Sequence, residues 1–290
     1  MNPATWTKDS DSIGFARSPQ LKAVDRALSA YVGGKNKTSL YALVDAFLDW
    51  YESKPNWLAT RRRTHMIELV NYIKQEAIAR VANVGGHVFN RRMARRRLDQ
   101  MLAGPKAFLQ KHRISIAGDR DADAIDFRAT VDSMDLLFDS ALLGTAPLYA
   151  PIAGYKFASK GSLYGPKVSA ISIKMQTDLG PTSTAADALG KLFPVTAGQV
   201  MMTGSLTGCS ILIRTNGLLA CTHVQPKGQD GTALQNQLEG FNMPGTRVYG
   251  KNDYGAYYTH VIGFNVGGWK IYSQRSDAQG RVQPLETIYP

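Results

Sequence analysis

The chain has 290 residues and a formal net charge of +11, with 44% hydrophobic and 20% charged residues. This length accommodates one large domain or two of ordinary size. No apolar run approaches the roughly 18 residues that span a bilayer, and two cysteines are too few for a disulfide framework, so the composition excludes both a membrane-spanning chain and a disulfide-stapled one.

The positive charge is confined to the first two-fifths of the chain. Residues 1–115 contain 20 Lys and Arg against 9 Asp and Glu, whereas the remaining residues contain 14 of each kind. Such asymmetry is typical of two modules with different roles. We predict a basic helical module over 1–115, an acidic linker or connecting helix over 116–148, and a β-rich domain over 149–290.

The basic module is predicted to contain three helices. Apolar residues recur at spacings of three and four over Leu40–Tyr51, which is typical of a helix with one buried face. Thr38 and Ser39 are the candidate N-caps of this helix. The same spacing predicts two further helices, over Thr64–Val84 and His87–Leu102.

Two arginine clusters stand out in these helices, Arg61–Arg63 and Arg91–Arg97. One interpretation is binding to nucleic acid or to an acidic membrane surface, since basic contacts release counterions or gain surface attraction. The other is a solvated helix face, or a surface that docks an acidic adaptor or delivery partner. Because no nucleic-acid-binding signature and no aromatic ladder accompany the charge, nucleic acid is not the expected partner.

An acidic stretch follows the basic module directly, with seven aspartates between Gly118 and Asp139. A calcium-binding loop that begins at Asp119 is not supported, because Ala124 and Thr130 occupy the positions that require glycine and glutamate. We expect a solvated linker or helix that packs against the arginines and shields them until a partner competes.

From about Tyr149 onward, short apolar runs alternate with glycines and prolines, which is typical of an antiparallel sheet or sandwich. Gly267-Gly268 is a tight hairpin signal. A helix is predicted from Thr184 to Leu192 and another near Ala233, so the predicted fold class is α+β, with a helical module followed by a β-sandwich-like domain. The predicted strands are Val168–Met175, Gln199–Met202, Ser210–Arg214, Leu218–Val224, Arg247–Tyr249, Tyr257–Val266 and Trp269–Ser273.

Cys209 and His223 are the candidate catalytic pair of the β-rich domain. They lie on two predicted strands that are joined by a tight Asn216-Gly217 turn, and such a hairpin brings their side chains together. An imidazole beside a thiol favours the thiolate, the form that attacks amides, esters and thioesters. The backbone N–H groups of Gly208 and Cys209 are the candidate oxyanion donors, because glycine lets a substrate approach the backbone.

The same residues have structural alternatives. Cys209 can be a core residue, because reduced cysteine is among the most buried residue types. Together with Cys221, His223 and His260 it can also form a zinc site, although neither cysteine has the close partner of a C-x₂-C motif. Otherwise Cys221 is a core residue and His260 is a hydrogen-bonded structural histidine, and we expect no metal and no cofactor.

The segment Leu206-Thr207-Gly208-Cys209 resembles the Leu-x-Gly-Cys signature of the glutamine deamidase toxins, namely the cytotoxic necrotizing factor catalytic domain and Burkholderia lethal factor. The resemblance runs over Val200–Pro226, less than a tenth of the chain. It implies that Cys209 is the nucleophile, that His223 is the base, and that Thr203 is a functional threonine that orients His223. A backbone carbonyl and Asn216 are the alternatives for that orienting role. The resemblance also implies a β-sandwich core.

For function, the resemblance implies a bacterial effector or toxin that deamidates a glutamine side chain on a target protein. The same thiol supports transglutamination if an amine replaces water, or proteolysis if the site admits a backbone amide. Residues 1–10 lack the apolar core of a signal peptide, so delivery from a bacterium into the target-cell cytoplasm by a specialised system is expected. The alternative from another class is a non-enzymatic protein whose basic helices bind nucleic acid or a membrane.

Overall fold

The computed structural model of the chain contains two compact units. Helices up to Arg97 make the first unit, and the second begins at Leu98 and is built around two β-sheets. The protein therefore belongs to the α+β class, as predicted. Among the described residues, no helix has the length and apolar character needed to cross a membrane. The structure describes residues 2, 3, 6, 18–53, 60–81, 88–112, 114–117, 124–131, 155–158, 166–173, 175–195, 200–276 and 283–290.

The described helices include the predicted ones and three that were not predicted. The helices α2, α3 and α4 confirm those predicted for the basic module, α6 and α7 confirm the two predicted for the β-rich domain, and α1, α5 and α8 were not predicted. The helices with described bounds are α1 (Pro19–Gly34), α2 (Lys37–Glu52), α3 (Thr60–Arg80), α4 (Val88–Ala103), α5 (Pro105–Leu109), α6 (Ala185–Leu189), α7 (Gly231–Gly240) and α8 (Lys251–Tyr254).

Side-chain caps fix where α1 and α2 begin. The Ser18 hydroxyl accepts a hydrogen bond from the Leu21 N–H at 3.1 Å, and the Asn36 side chain accepts one from the Ser39 N–H at 2.9 Å. Asn36 is therefore the N-cap of α2, and the two predicted caps lie two and three residues too late along the chain. Asparagine satisfies the same unpaired amide that serine or threonine would satisfy, so the start signal was correct in kind.

Part of the second arginine cluster joins two helices of the first unit. Arg92 of α4 donates from Nε and Nη2 to the two carboxylate oxygens of Asp45 on α2, at 2.9 and 2.5 Å, and lies 5.0 Å from the centre of the Tyr41 ring. Arg96 donates to Asp49 one turn further along α2. Charged contacts of this kind position helices against each other. Arg92 and Arg96 therefore have a structural role, which is to join α2 and α4.

The second unit contains a large sheet and a small sheet. The large sheet has the strand order β1-β3-β2-β4-β7-β11-β12-β13, and the small sheet has the order β10-β8-β9-β5, with β6 also paired to β9. The strands are β1 (Ile114–Ala117), β2 (Ala124–Val131), β3 (Tyr155–Ala158), β4 (Lys167–Ile173), β5 (Met175–Leu179), β6 (Phe193–Pro194), β7 (Val200–Thr203), β8 (Ser210–Arg214), β9 (Ala220–Pro226), β10 (Thr246–Tyr249), β11 (Tyr258–Asn265), β12 (Trp269–Ser276) and β13 (Glu286–Tyr289).

Both sheets are mixed rather than purely antiparallel. Most neighbouring strands run antiparallel, including the hairpins of β8 with β9 and of β11 with β12. However, β4 runs parallel to β7 in the large sheet, and β5 runs parallel to β9 in the small sheet. The hairpin signals identified these two antiparallel hairpins, whereas the parallel pairs join strands that are distant along the chain, for which no local signal exists.

The two sheets share a hydrophobic core between them. Successive side chains of a strand point to opposite faces, so Ile211 and Ile213 of β8 face the large sheet, where they pack in one core with Val261 of β11. Leu212 points the other way and packs against α7. The outer face of the large sheet is covered in turn by the end of α4 and by α5. This layering places the interior-facing residues of β8 and β9 opposite those of β7 and β11.

Two parts of the predicted domain plan differ from the structure. Residues 124–131, inside the predicted acidic linker or connecting helix, form β2, which pairs with β4, because apolar and polar residues alternate along them with the period of a strand. Residues 98–109, assigned to the basic module, pack against the large sheet through Met101 and Phe108. The remaining parts of the predicted linker, 118–123 and 132–148, and the side chains of residues 61–63 lie outside the described residues.

Candidate active site

The predicted hairpin that carries the candidate pair is present. Strand β8 covers the residues predicted for it, and β9 begins two residues later than predicted. Gly217 in the connecting turn has a φ of 86°, the left-handed conformation that glycine adopts without strain. The register of the hairpin pairs Ile211 with His223 and Ile213 with Cys221.

Cys209 and His223 lie on the same face of the small sheet. Residues directly opposite in an antiparallel pair point to the same side, so His223 points with Ile211 toward the large sheet. Cys209 precedes Ile211 by two residues and packs in the same core cluster. Cys209 lies one residue before β8 begins, and if the alternation of β8 is continued to it, Cys209 is the diagonal neighbour of His223 across the hairpin.

Both members of the pair are buried. His223 has no exposed surface, and Cys209 is 9% exposed. Neither cysteine is part of a disulfide. Burial raises the pKa of the Cys221 thiol to about 12, so Cys221 keeps its proton at neutral pH and has the character of a core residue.

The loop that leads into Cys209 is fixed at two points. Leu206 exchanges two backbone hydrogen bonds with Thr259 at the start of β11, at 2.7 and 3.3 Å. Three residues later, the buried Tyr254 hydroxyl donates a hydrogen bond to the carbonyl oxygen of Cys209 at 2.9 Å. These contacts attach the loop to the large sheet on one side and to α8 on the other.

Helix α7 begins directly against the residue that precedes Cys209. A Cβ atom on Gly231 would lie 2.3 Å from the carbonyl oxygen of Gly208, so only glycine fits there. The N–H and C=O of a trans peptide point in opposite directions, so the Cys209 N–H points away from α7. A Cβ atom on Gly208 itself would meet none of the described atoms within 4 Å. The peptide between Gly208 and Cys209 is therefore backed by α7 on its carbonyl side, and the space in the direction of a Cβ atom on Gly208 is open among the described residues.

This packing makes a test of the loop's role. We expect Gly231→Ala to push the Gly208 carbonyl aside, because the new methyl group would overlap a backbone oxygen that has no rotamer to change. Overpacking of this kind costs about 1–3 kcal/mol of stability. Displacement of a reacting group by about 1 Å can lower a rate about 100-fold, so alkylation of Cys209 by iodoacetamide should become much slower.

Gly240→Ala is the matched control, since Gly240 ends the same helix and a Cβ atom there would meet none of the described atoms within 4 Å. It should retain the alkylation rate of the unmodified protein and should unfold at an equal or higher temperature, because alanine favours helix by up to about 1 kcal/mol. Equal alkylation rates in both variants, with the Gly231→Ala protein folded, would show that the contact with Gly208 does not position the cysteine.

Thr203 ends β7 on the side of the large sheet that faces the pair. Its neighbour Met201, two residues earlier, packs in the core between the sheets, and alternation gives Thr203 the same direction. The Thr203 hydroxyl donates to the Gly204 carbonyl at 2.7 Å. A hydroxyl has one hydrogen to donate, so toward an imidazole N–H this oxygen is an acceptor, which is the role that an orienting residue needs.

Thr259 is a second hydroxyl in the same interior, and the sequence did not point to it. It is fully buried at the start of β11, two residues before Val261 on the same face. Its hydroxyl has no hydrogen-bond partner among the described residues. A buried polar group without a partner costs stability unless it is used, so Thr259 is a further candidate for contact with the imidazole or with a bound substrate.

Asn216 and His260 do not join the pair. Asn216 is exposed in the turn at the opposite end of β8 from Cys209, where its side chain donates to the Pro244 carbonyl at 3.3 Å. His260 lies between Thr259 and Val261 and so points to the other face of the large sheet, where it stands opposite Gln274. The structure therefore places Asn216 away from the pair, and it separates His260 from the other three residues of the alternative zinc site.

Among the residues that the structure describes, no group of three or more His, Cys, Asp or Glu is placed to hold a metal ion. Besides Thr259, the residues that the sequence did not point to are Tyr254 and Gly231, which contact the backbone at Cys209 and Gly208. Both are distant along the chain from what they contact, and no local motif marks them.

In the comparisons with known proteins, no family model matches the chain, and no curated protein matches it significantly.

Proposed function

We propose that the second unit is a β-sandwich-like Cys–His hydrolase domain that deamidates a glutamine side chain on a target protein. The observation that carries the proposal is that His223 and Ile211 point to one face of the small sheet, and that Cys209, two residues before Ile211, packs in the core on that face. An activated thiol needs a base within reach, and this arrangement supports one.

The reaction proceeds through a thioester. His223 takes the proton of the Cys209 thiol, and the thiolate attacks the carboxamide carbon of the glutamine to form a tetrahedral intermediate. The carbon–nitrogen bond then breaks as His223 returns the proton to the departing ammonia. Water, deprotonated by His223, attacks the thioester carbon. The carbon–sulfur bond breaks, the thiol regains its proton and glutamate is released.

The peptide between Gly208 and Cys209 supplies the oxyanion contact. The Cys209 N–H points away from α7, beside the open side of Gly208, so it can meet an oxygen that forms on the attacked carbon. Loss of one such donor typically costs about 3–4 kcal/mol in the transition state. Thr203, which points into the same interior, is assigned the role of orienting the His223 ring.

The biological setting is proposed on the sequence alone. The chain is a bacterial effector or toxin that acts in the target-cell cytoplasm, where reduced thiols persist. The first unit serves delivery, localisation or docking of an adaptor. Transglutamination and proteolysis use the same thiol and differ only in which nucleophile resolves the thioester or which amide is attacked.

The test is mass spectrometry of host-cell lysate treated with the purified full chain. We expect one or a few glutamines to gain about one dalton, the mass change when the amide becomes the acid, and this gain to vanish with the Cys209→Ser variant. Peptide cleavage or amine incorporation that depends on Cys209 would instead identify a protease or a transglutaminase. Identical lysates with both proteins would remove the support for an enzyme of this mechanism.

A further inference from the structure

Tyr254 touches the backbone of the candidate nucleophile from a distant part of the chain. It is the last residue of α8 and is 1% exposed, and its hydroxyl donates to the Cys209 carbonyl oxygen at 2.9 Å. That carbonyl is attached to the same Cα atom as the side chain that carries the sulfur. A hydrogen bond that holds the carbonyl therefore restrains the backbone of Cys209, and with it the Cα atom from which the side chain extends.

We propose that Tyr254 is a positioning residue that holds the Cys209 backbone so that the sulfur faces His223. The proposal rests on the proposed function, because it assigns a partner to the nucleophile of that site. Tyr254 does not touch the reacting atoms; it acts through the carbonyl of Cys209. Positioning matters because an error of about 1 Å between reacting groups can cost about 100-fold in rate.

Helix α8 is held rigidly enough to serve as this support. The Gln235 side chain, which is 1% exposed on α7, donates to the Asp253 carboxylate at 2.8 Å and accepts from the Asn252 N–H at 2.7 Å. The same Asp253 carboxylate accepts from the Gly250 N–H at 2.8 Å. Side-chain contacts thus hold this short helix in place. A four-residue helix needs such contacts because it makes few hydrogen bonds of its own.

The large sheet supports α8 from the other side. Arg275 of β12 donates from Nη1 to the Asp253 carbonyl at 3.3 Å, and its guanidinium lies 5.9 Å from the centre of the Tyr257 ring. Two elements therefore hold α8: α7, which packs beside the small sheet, and β12, which belongs to the large sheet. Through its hydrogen bond to the carbonyl oxygen, Tyr254 connects Cys209 to this supported helix.

The Tyr254 phenol remains a donor under the conditions in which a thiolate forms. Burial raises its pKa, and negative charge on Cys209 raises the pKa of the phenol further. The hydroxyl therefore keeps its proton at neutral pH, and ionisation of Cys209 does not weaken the contact by removing that proton.

The test compares Tyr254→Phe with Tyr249→Phe in the full-length protein. Tyr249 is the matched control because it is also fully buried, its ring lies 6.2 Å from that of Tyr254, and its hydroxyl bonds to Ser273 at 2.6 Å rather than to Cys209. Each change removes one buried hydroxyl and should lower the stability by about 1–3 kcal/mol. The readouts are the rate of Cys209 alkylation by iodoacetamide at neutral pH, the ultraviolet absorbance of the thiolate, and the unfolding temperature.

We expect Tyr254→Phe to lower the alkylation rate about tenfold or more and to lower the thiolate absorbance, since a cysteine without its base is only a few per cent ionised at neutral pH. Tyr249→Phe should stay within about twofold of the unmodified protein at a similar loss of stability. Equal rates in all three proteins, with Cys209 reactive, would overturn the role of Tyr254 and leave the proposed function intact. An unreactive Cys209 in the unmodified protein would overturn both.

Discussion

Replacement of Cys209 by serine is expected to reduce deamidation by about 10⁴-fold or more while the protein stays folded. A serine hydroxyl is hardly ionised at neutral pH, whereas a cysteine beside a base is a strong nucleophile. The substitution exchanges one atom at a position that is 9% exposed, so it leaves the packing of the loop nearly unchanged. The measurement is the rate of glutamine conversion in treated lysate, followed by mass spectrometry.

Cys221→Ser is the matched control for this change. Cys221 lies two residues from His223 on the same face of β9 and is fully buried. A serine hydroxyl in that apolar core should cost about 1–3 kcal/mol of stability and leave the rate of the folded protein within a few-fold. Activity that survives Cys209→Ser, or that disappears only with Cys221→Ser, would show that the wrong sulfur has been assigned.

Replacement of His223 by glutamine is expected to lower the deamidation rate about 10²–10⁴-fold, the usual contribution of a positioned acid–base group. Glutamine has a similar volume and can still hydrogen-bond, so the fully buried site keeps its packing. It cannot take up the thiol proton, so Cys209 should remain the uncharged thiol at neutral pH. The same lysate assay, with the unfolding temperature alongside, measures the effect.

His260→Gln separates catalysis from the general loss of a histidine. His260 lies on the other face of the large sheet from the pair and is 9% exposed. Its replacement should leave the deamidation rate within about threefold, the scatter expected for a site that adds independently. If His260→Gln and His223→Gln lowered the rate equally, the base would have to be assigned elsewhere.

Local patterns were sufficient for much of the fold. The strand Ser210–Arg214 and the Asn216-Gly217 turn were predicted because alternation and turn chemistry act within a few residues. Helix α1 carries the same kind of signal, with Leu21, Val24, Leu28 and Tyr31 at helical spacing, and it was overlooked rather than hidden.

Other features of the fold depend on contacts that the local sequence does not encode. The parallel neighbours β4 and β7 pair across a long intervening segment, and nothing in either strand specifies the other. The strand β2 was assigned to a linker or helix because its surroundings are acidic, although the residues of β2 alternate as a strand does. The prediction relied on the acidic composition of the whole segment 116–148. The alternation of apolar and polar residues within β2 indicates the observed structure better than that composition does.

The candidate site divides in the same way. Cys209 and His223 were identified because a short motif and one hairpin turn connect them, and the register places them on one face. The supports at Tyr254 and Gly231 contact the nucleophile loop through tertiary packing and have no spacing rule. His260 was a poor zinc candidate for a physical reason: the direction of its side chain depends on which face of β11 is interior, and only the packing of the two sheets decides that.

The most direct test of the central claim is the rate of iodoacetamide labelling of each cysteine as a function of pH, with peptide mass mapping to separate the two. We expect rapid labelling of Cys209 in the folded protein at about pH 6, because a base within reach lowers the pKa of a reactive thiol to about 3.5–7.5. Cys221, with a pKa raised to about 12 by burial, should stay unlabelled until the protein unfolds. Labelling of Cys209 only after unfolding, or with a midpoint near the ordinary cysteine pKa of about 8.5, would contradict the activation of Cys209 by His223.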